Sequence, residues 1–144
     1  MHAPRFLIAA AHKSSGKTVI STGLARALTA RGHSVATFKK GPDYIDPMWL
    51  GTATGGPCYN LDFNTQTPDE IAEFFASRAQ GHDITLVEAN KGLFDGVSMD
   101  GHDSNAALAK QLRLPVILVI DTNGMTRGIA PLLQGYQAFD PEVN

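Results

Sequence analysis

The stretch "FLIAAAHKSSGKT", Phe6 to Thr18, constrains the fold more than any other part of the chain. Its first half, Phe6 to Ala11, is an apolar run with no polar alternation. Such a run suits a strand buried on both faces, as in a parallel sheet. A glycine–lysine–threonine turn follows, then Ile20, Leu24, Ala27 and Leu28 on one helical face, with the pattern ending at Gly32. In a strand–turn–helix context, backbone N–H groups at the helix N-terminus, helped by the helix dipole, hold phosphate oxygens. Residues 11–18 approximate the phosphate-loop pattern G-x-x-x-x-G-K-[ST] in that setting. Gly16 leaves room for close approach, Lys17 reaches the β/γ-phosphates, and the Thr18 hydroxyl can ligate Mg²⁺. Ser14, Ser15 and Val19 belong to the same nucleotide-binding set. Ala11 stands where the pattern has its first glycine, so its φ must be negative. Lys13 is expected to be solvated.

Three further segments read as strands: "SVATF" (34–38, the weakest), "ITLVE" (84–88) and "VILVID" (116–121). Thr67-Pro68-Asp69-Glu70 reads as a capping box with proline at the first helical position, followed by a buried stripe of Ile71, Phe74 and Phe75. Another helix is expected over 104–112, with Ala107, Leu108 and Leu112 inward, and one more from about Gly128. Strands alternating with helices give right-handed βαβ units, and so a doubly wound, mostly parallel α/β sheet. Four strands would leave that sheet with a raw edge, and the chain is expected to be a fragment of a longer protein. "FKKGPDYIDP" (38–47) reads as neither helix nor strand, its prolines holding it still.

Ligands of open α/β sheets bind outside the carboxyl ends of the strands. The phosphate loop, "KKGPDYIDP", "EANKGLFDG" and "DTNGMTRG" converge there, all rich in glycine and in charged or polar groups. Glu88 closes a strand where acids hold Mg²⁺ directly or through water. Asp43, Asp46 and Asp95 add three carboxylates, each with a competing reading as a turn former. Lys39 and Lys40 leave the second strand where a cation can neutralise charge developing in phosphoryl transfer or bind a substrate carboxylate. Asn123 either reads a base edge or caps a turn. Arg127 is a further candidate anion contact. His2, His12, His33, His82 and His102 show no zinc-ligand spacing, and Cys58 has no paired histidine, so it reads as a packed thiol.

With 12 Lys and Arg against 14 Asp and Glu, the net charge is −2, which gives no electrostatic case for nucleic acid or an anionic membrane. A single cysteine allows no intrachain disulfide and suggests a reducing, cytoplasmic setting. The N-terminal apolar run is too short for a membrane span or secretory signal.

"SSGKT", "FKKGPDYIDP", "NLD" (60–62), "GLFDG" (92–96) and "VIDTNGMTRG" together resemble the ATP-binding domain of the cobyrinic acid a,c-diamide synthase family. "AHKSSGKT" and "EANKGLFDG" look closer to its sirohaem-amidating branch. The resemblance implies a dethiobiotin-synthetase-like P-loop fold. It also implies a reaction in which a tetrapyrrole carboxylate attacks the ATP γ-phosphate and ammonia from glutamine displaces phosphate from the acyl phosphate. Carried over residue by residue, it puts Lys17 and Thr18 on ATP–Mg²⁺. Asp43, Glu88 and Asp95 then surround the metal and reacting carboxylate, with Tyr44 and Asp46 beside the substrate. The catalytic set implied is Lys17, Lys39, Asp43, Asp46 and Asp95; the metal set is Thr18, Asp43 and Glu88; the substrate set is Tyr44, Asp46 and Asp95. Ala89, Asn90 and Lys91 depart from the family's glycine after the acid, and no Cys–His–Glu set of a glutamine amidotransferase domain is present, so that domain is expected elsewhere in a longer protein. A homodimer is left open. A partition-type switch ATPase is the rival reading, but it would need lysine where His12 stands. Dethiobiotin synthetase itself is a second rival, opposed by "KGPDYIDP".

Overall fold

A computed structural model describes residues 3–144. Its elements are β1 (Arg5–Ala10), α1 (Lys17–Ala30), β2 (Val35–Lys40), α2 (Ile45–Thr54), β3 (Cys58–Leu61), α3 (Pro68–Ala79), β4 (Ile84–Gly92), α4 (Asn105–Leu112), β5 (Val116–Val119) and α5 (Ile129–Phe139). The five strands form one parallel sheet in the order β3-β2-β4-β1-β5.

That order dictates where the helices lie. The chain moves from β1 to β2 and β3 in one direction across the sheet, then back to β4 and β5 in the other. Right-handed crossovers therefore place α1 and α2 on one face and α3 and α4 on the opposite face. Strand residues alternate accordingly. Ile8, Val35 and Leu86 pack with Ala25, Leu50 and Ala53 beneath α1 and α2. Leu7, Phe38 and Val87 pack with Ile71, Phe75, Leu108 and Leu112 beneath α3 and α4, with Tyr136 of α5 against the same cluster. Adjacent strands β1 and β4 thus send their outgoing helices to opposite faces, which opens a crevice at their carboxyl ends.

The doubly wound parallel sheet matches the expectation, and so does the α3 cap. The Thr67 side chain accepts from the Glu70 N–H at 3.3 Å, while Glu70 accepts from the Thr67 N–H at 2.7 Å. Four local readings need correction. The sheet has a fifth strand, β3, whose four residues (Cys-Tyr-Asn-Leu) are too short and too polar to announce one. "YIDP" is not held outside regular structure: α2 starts at Ile45 and carries Asp46 and Pro47 in its first turn. Proline is tolerated there because the first turn's N–H groups have no intrahelical acceptor. On α1 the buried residues are Ser21 and Ala25, while Ile20 and Ala27 are exposed, so the inward face is rotated toward a polar residue. On α4 the inward set is Asn105, Ala106, Leu108, Ala109 and Leu112, and Ala107 is only half-buried.

β4 carries one irregularity that shapes the site. Ile8 pairs with Glu88 and Ala10 with Gly92, so β1 advances two residues (8 to 10) while β4 advances four (88 to 92). The surplus is a bulge over 89–91, in which Lys91 adopts φ 48°. The Asn105 amide braces it, donating to the carbonyls of Asn90 and of Gly92, the latter at 2.8 Å. Gly92 is required at the bulge's end, because a Cβ there would come within 2.9 Å of the Ala11 carbonyl oxygen.

Candidate active site

The phosphate loop joins β1 to α1. Ala11 is buried and absent from the residues with positive φ, as its place in the pattern demands, whereas Ser14 (φ 64°) and Gly16 (φ 82°) take left-handed conformations. Gly16 is the N-cap residue of α1, with no side-chain cap. The helix's first N–H groups are thereby left for an anion. The Ser15 hydroxyl donates to the His12 carbonyl at 2.7 Å, closing the loop on itself. The Tyr136 hydroxyl of α5 donates to the Ala11 carbonyl, fixing the loop's first residue from the far end of the chain. Residues 12–19 and Lys91 line a cavity of about 270 Å³. Lys13 is exposed but lies on this cavity's wall.

Behind the loop lies a compact ionic cluster built by β2, α2 and β4. Lys39 is opposite Glu88 across the β2–β4 pair, and the two are 2 % and 1 % exposed. The Lys39 ammonium donates to Glu88 Oε1 at 2.7 Å, Asp46 Oδ2 at 2.8 Å and the Ala89 carbonyl at 3.2 Å, with Asp43 Oδ2 at 3.8 Å. Burial alone would lower the Lys39 pKa; Glu88 and Asp46 outweigh it and hold the group above its ordinary value. Lys17 shows the opposite balance. Its burial dominates, Glu88 at 3.5 Å offsets only part, Lys39 repels it, and its pKa falls below the ordinary value. Partial burial would raise Asp46, but the hydrogen bonds from Lys39 and around it bring its carboxyl down to about 2. Thr18 Oγ1 lies 3.4 Å from both Asp46 Oδ2 and Glu88 Oε1. The Ser21 hydroxyl, one turn further along α1, donates to Glu88 Oε2.

Among the described residues no group of three or more His, Cys, Asp or Glu is disposed to hold a metal ion alone. Thr18, Asp46 and Glu88 nevertheless present three hard oxygens at one point beside the loop. That partial donor set fits Mg²⁺, which takes one or two carboxylates and completes its shell with phosphate oxygens and water.

The structure therefore brings Lys17, Thr18, Lys39, Asp46 and Glu88 together, with Asp43 at the margin. Asp43 Oδ1 also accepts from the Ile45 N–H at 2.9 Å, so it is a turn former as well. Asp95 lies outside this cluster: its Oδ2 accepts from the Gly92 N–H at 3.0 Å, and it lines a separate cavity. Tyr44 is 82 % exposed and Val19 76 %, and neither side chain is held by the protein. Asn123 sits in an exposed turn after β5, its N–H given to Asp121 at 2.8 Å. Arg127 is exposed. Burial pushes the Cys58 thiol up to about 11, which suits packing rather than nucleophilic attack. His2 lies outside the described residues.

Sequence reasoning missed Ser21 and Asn60. The Asn60 amide donates to the carbonyls of Gly41 (2.7 Å) and Asp43 (2.6 Å) and so clamps the turn between β2 and α2. For Ser21 the available signal was its place three residues after Thr18, the same face of a helix. Asn60 was quoted within "NLD" (60–62) for the family resemblance but given no role of its own.

A nucleotide-holding loop with an acid and a lysine at the neighbouring strand ends describes a broad class, and residues 6–137 match the model of the CobQ/CobB/MinD/ParA nucleotide binding domain. The chain belongs to that family. It is similar to the cobyrinate a,c-diamide synthase of Magnetococcus marinus, 50% identical over 94% of the chain. It is also similar to the hydrogenobyrinate a,c-diamide synthase of Streptomyces coelicolor, 46% identical over 97%. The chain spans 29% of the length of each of those relatives. Among solved structures, the signal recognition particle receptor FtsY of Elizabethkingia anophelis superposes with a TM-score of 0.69 at 15% identity, covering 99% of this chain and 49% of that one. That likeness shows a P-loop NTPase-like α/β fold. No helix among the described residues is long and apolar enough to cross a membrane.

Proposed function

We propose that this chain is the ATP-binding part of an amide synthase that activates peripheral carboxylates of a cobyrinate-like tetrapyrrole. The observation that carries the reading is the convergence of Lys17, Thr18, Lys39, Asp46 and Glu88 beside the phosphate loop. Its similarity over nearly the full chain to synthases named for that reaction supports the substrate class.

In this reading the loop N–H groups and Lys17 take the triphosphate, while Thr18, Glu88 and Asp46 would hold Mg²⁺, which would supply charge neutralisation to the phosphates. Lys39 moves from its carboxylate partners toward the transferring phosphoryl group, where a fixed cation lowers the barrier most. A substrate carboxylate oxygen bonds to the γ-phosphorus as the bond to ADP breaks, giving an acyl phosphate. Ammonia then attacks the acyl carbon, the carbon–oxygen bond to phosphate breaks, and the nitrogen loses a proton to leave the amide. Glutamine supplies the ammonia through an amidotransferase domain in the remainder of a longer protein. Asp43 positions the acceptor from the cluster's margin and Asp95 from the wall of the neighbouring cavity, with Tyr44 at the rim and Asn123 toward the base. Dependence on ATP fits the cytoplasm.

A second acceptor, the sirohaem type, is kept because "AHKSSGKT" and "EANKGLFDG" resemble that branch, and Asn90 and Lys91 of the second segment line the cavity next to the phosphate loop. The test is to assay the full-length protein with ATP, Mg²⁺ and glutamine against cobyrinic acid and sirohaem in parallel, scoring amide formation by mass. Amidation of either ring supports the reading, and the preferred ring chooses between the two acceptors. ATP turnover without amide on either ring would overturn it. In the same protein Lys17→Ala should weaken ATP binding about 100-fold or more, read by equilibrium titration.

A further inference from the structure

Lys39 and Lys40 are consecutive residues of one strand, so their side chains leave β2 on opposite faces. Lys39 meets three carboxylates, Glu88 and Asp46 closely and Asp43 at 3.8 Å. Lys40, 6 % exposed, meets none: among the described residues no carboxylate oxygen lies within ion-pair reach of it. Its ammonium donates to the Asp103 carbonyl at 2.7 Å and to Asn90 Oδ1 at 3.5 Å, and lies 5.5 Å from the centre of the Phe63 ring. It lines a cavity of about 40 Å³ with Asn90, Lys91, Asp62, Asp95 and Asp103.

The three acids of that cavity are engaged elsewhere. Asp62 accepts from the Asn64 backbone and amide at 3.0 Å. Asp95 accepts from Gly92 at 3.0 Å, and Asp103 from Val97 at 2.9 Å and Ser98 at 3.1 Å. Lys91 is held at φ 48° by the bulge and lines both this cavity and the phosphate-loop cavity. A buried cation with no carboxylate in ion-pair contact, attracted only at longer range by Asp103 and Asp62, gains from an anion that reaches it directly. The space suits a carboxylate-sized group with a few waters and excludes a macrocycle.

We propose that this cavity is a subsite for a second carboxylate of the substrate, one that is held on Lys40 and not activated. Lys91, on the wall shared by the two cavities, sets the distance between the held carboxylate and the one presented to phosphate. The inference rests on the proposed polycarboxylate substrate: with several acidic arms on one ring, anchoring one arm selects which other arm reacts. Burial lowers the Lys40 pKa, with Asp103 and Asp62 only partly compensating and Lys91 repelling it, so an arriving carboxylate would oppose that shift and favour the charged form.

The test uses the full-length protein with cobyrinate as probe, measuring calorimetric binding in the presence of ADP alongside steady-state amidation. Lys40→Gln should raise the cobyrinate Kd and KM about tenfold or more while the KM for ATP moves less than about twofold. Lys40→Arg should recover most of the loss, and Lys91→Ala, on the rim, should weaken cobyrinate by about threefold and alter which amide forms first. Should Lys40→Gln melt early, Lys91→Ala and Lys40→Arg carry the test. Unchanged cobyrinate binding in the folded variants, or equal losses for ATP and cobyrinate, would overturn the subsite. Wild-type protein that binds cobyrinate through Lys40 but forms no amide would sink the proposed reaction and leave the subsite standing. Wild-type protein that neither binds nor amidates cobyrinate would remove both.

Discussion

The two sides of β2 solve the same problem in opposite ways. Toward α1 and α2, Lys39 is enclosed by Glu88 and Asp46, and Glu88 is further bonded by Ser21. Toward α4, Lys40 is enclosed by a carbonyl, an amide and an aromatic ring. The first arrangement is electrically complete without a guest. The second is not. In the proposed reading, the first site must let go of its own partners to act and the second receives its partner from the substrate, a division of labour between chemistry and recognition.

Removing the two ammonium groups should break this comparison most sharply. Lys39→Met strands Glu88 with one weak cation at 3.5 Å and should cost about 3–5 kcal/mol, read as a shift in urea midpoint. Lys40→Met leaves no carboxylate behind and should cost about 1 kcal/mol or less in the same titration. Equal losses would mean that Lys40 is as tightly paired as Lys39, and the contrast would collapse. A smaller effect is expected at Ser21→Ala, about 1–3 kcal/mol, because a buried carboxylate oxygen loses its hydroxyl donor. If that variant unfolds at the wild-type midpoint, Glu88 does not depend on the Ser21 hydroxyl.

The acid side of the comparison is sharpened by pH. Asp46 has a folded pKa of about 2, below an unfolded value of about 3.9. Its contribution is therefore fully present above about pH 4 and is lost as pH falls toward 2. Wild type and Asp46→Asn should differ in denaturation midpoint at pH 6 and converge toward pH 2. A difference that persists at pH 2 would place the effect in the helix start rather than in the charge.

Much of this was readable from residue order, because periodicity and caps are local. The strand–loop–helix at 6–30 and the Thr67–Glu70 box need only their own neighbours to be recognised. What escaped depends on partners distant in sequence. β3 exists because Thr37 to Lys40 offer it an open edge, and nothing in Cys58–Leu61 says so alone. The inward turn of Ser21 is decided by Glu88, 67 positions away. In the site, types and spacing marked Lys39, Asp46 and Glu88, yet they gave Asp95 the same weight. Only the fold separates a carboxylate facing the cluster from one closing its own turn. The parity of a strand also divides Lys39 from Lys40, and parity has no meaning until the faces are assigned.

The hydroxyl that Tyr136 lends to the Ala11 carbonyl has a mechanical corollary. The loop that receives phosphate follows β1, the first strand of the sheet in sequence, while its fastening comes from α5. Loosening that helix frees the loop's first peptide, so the two should open and close as one cooperative unit despite 125 residues between them.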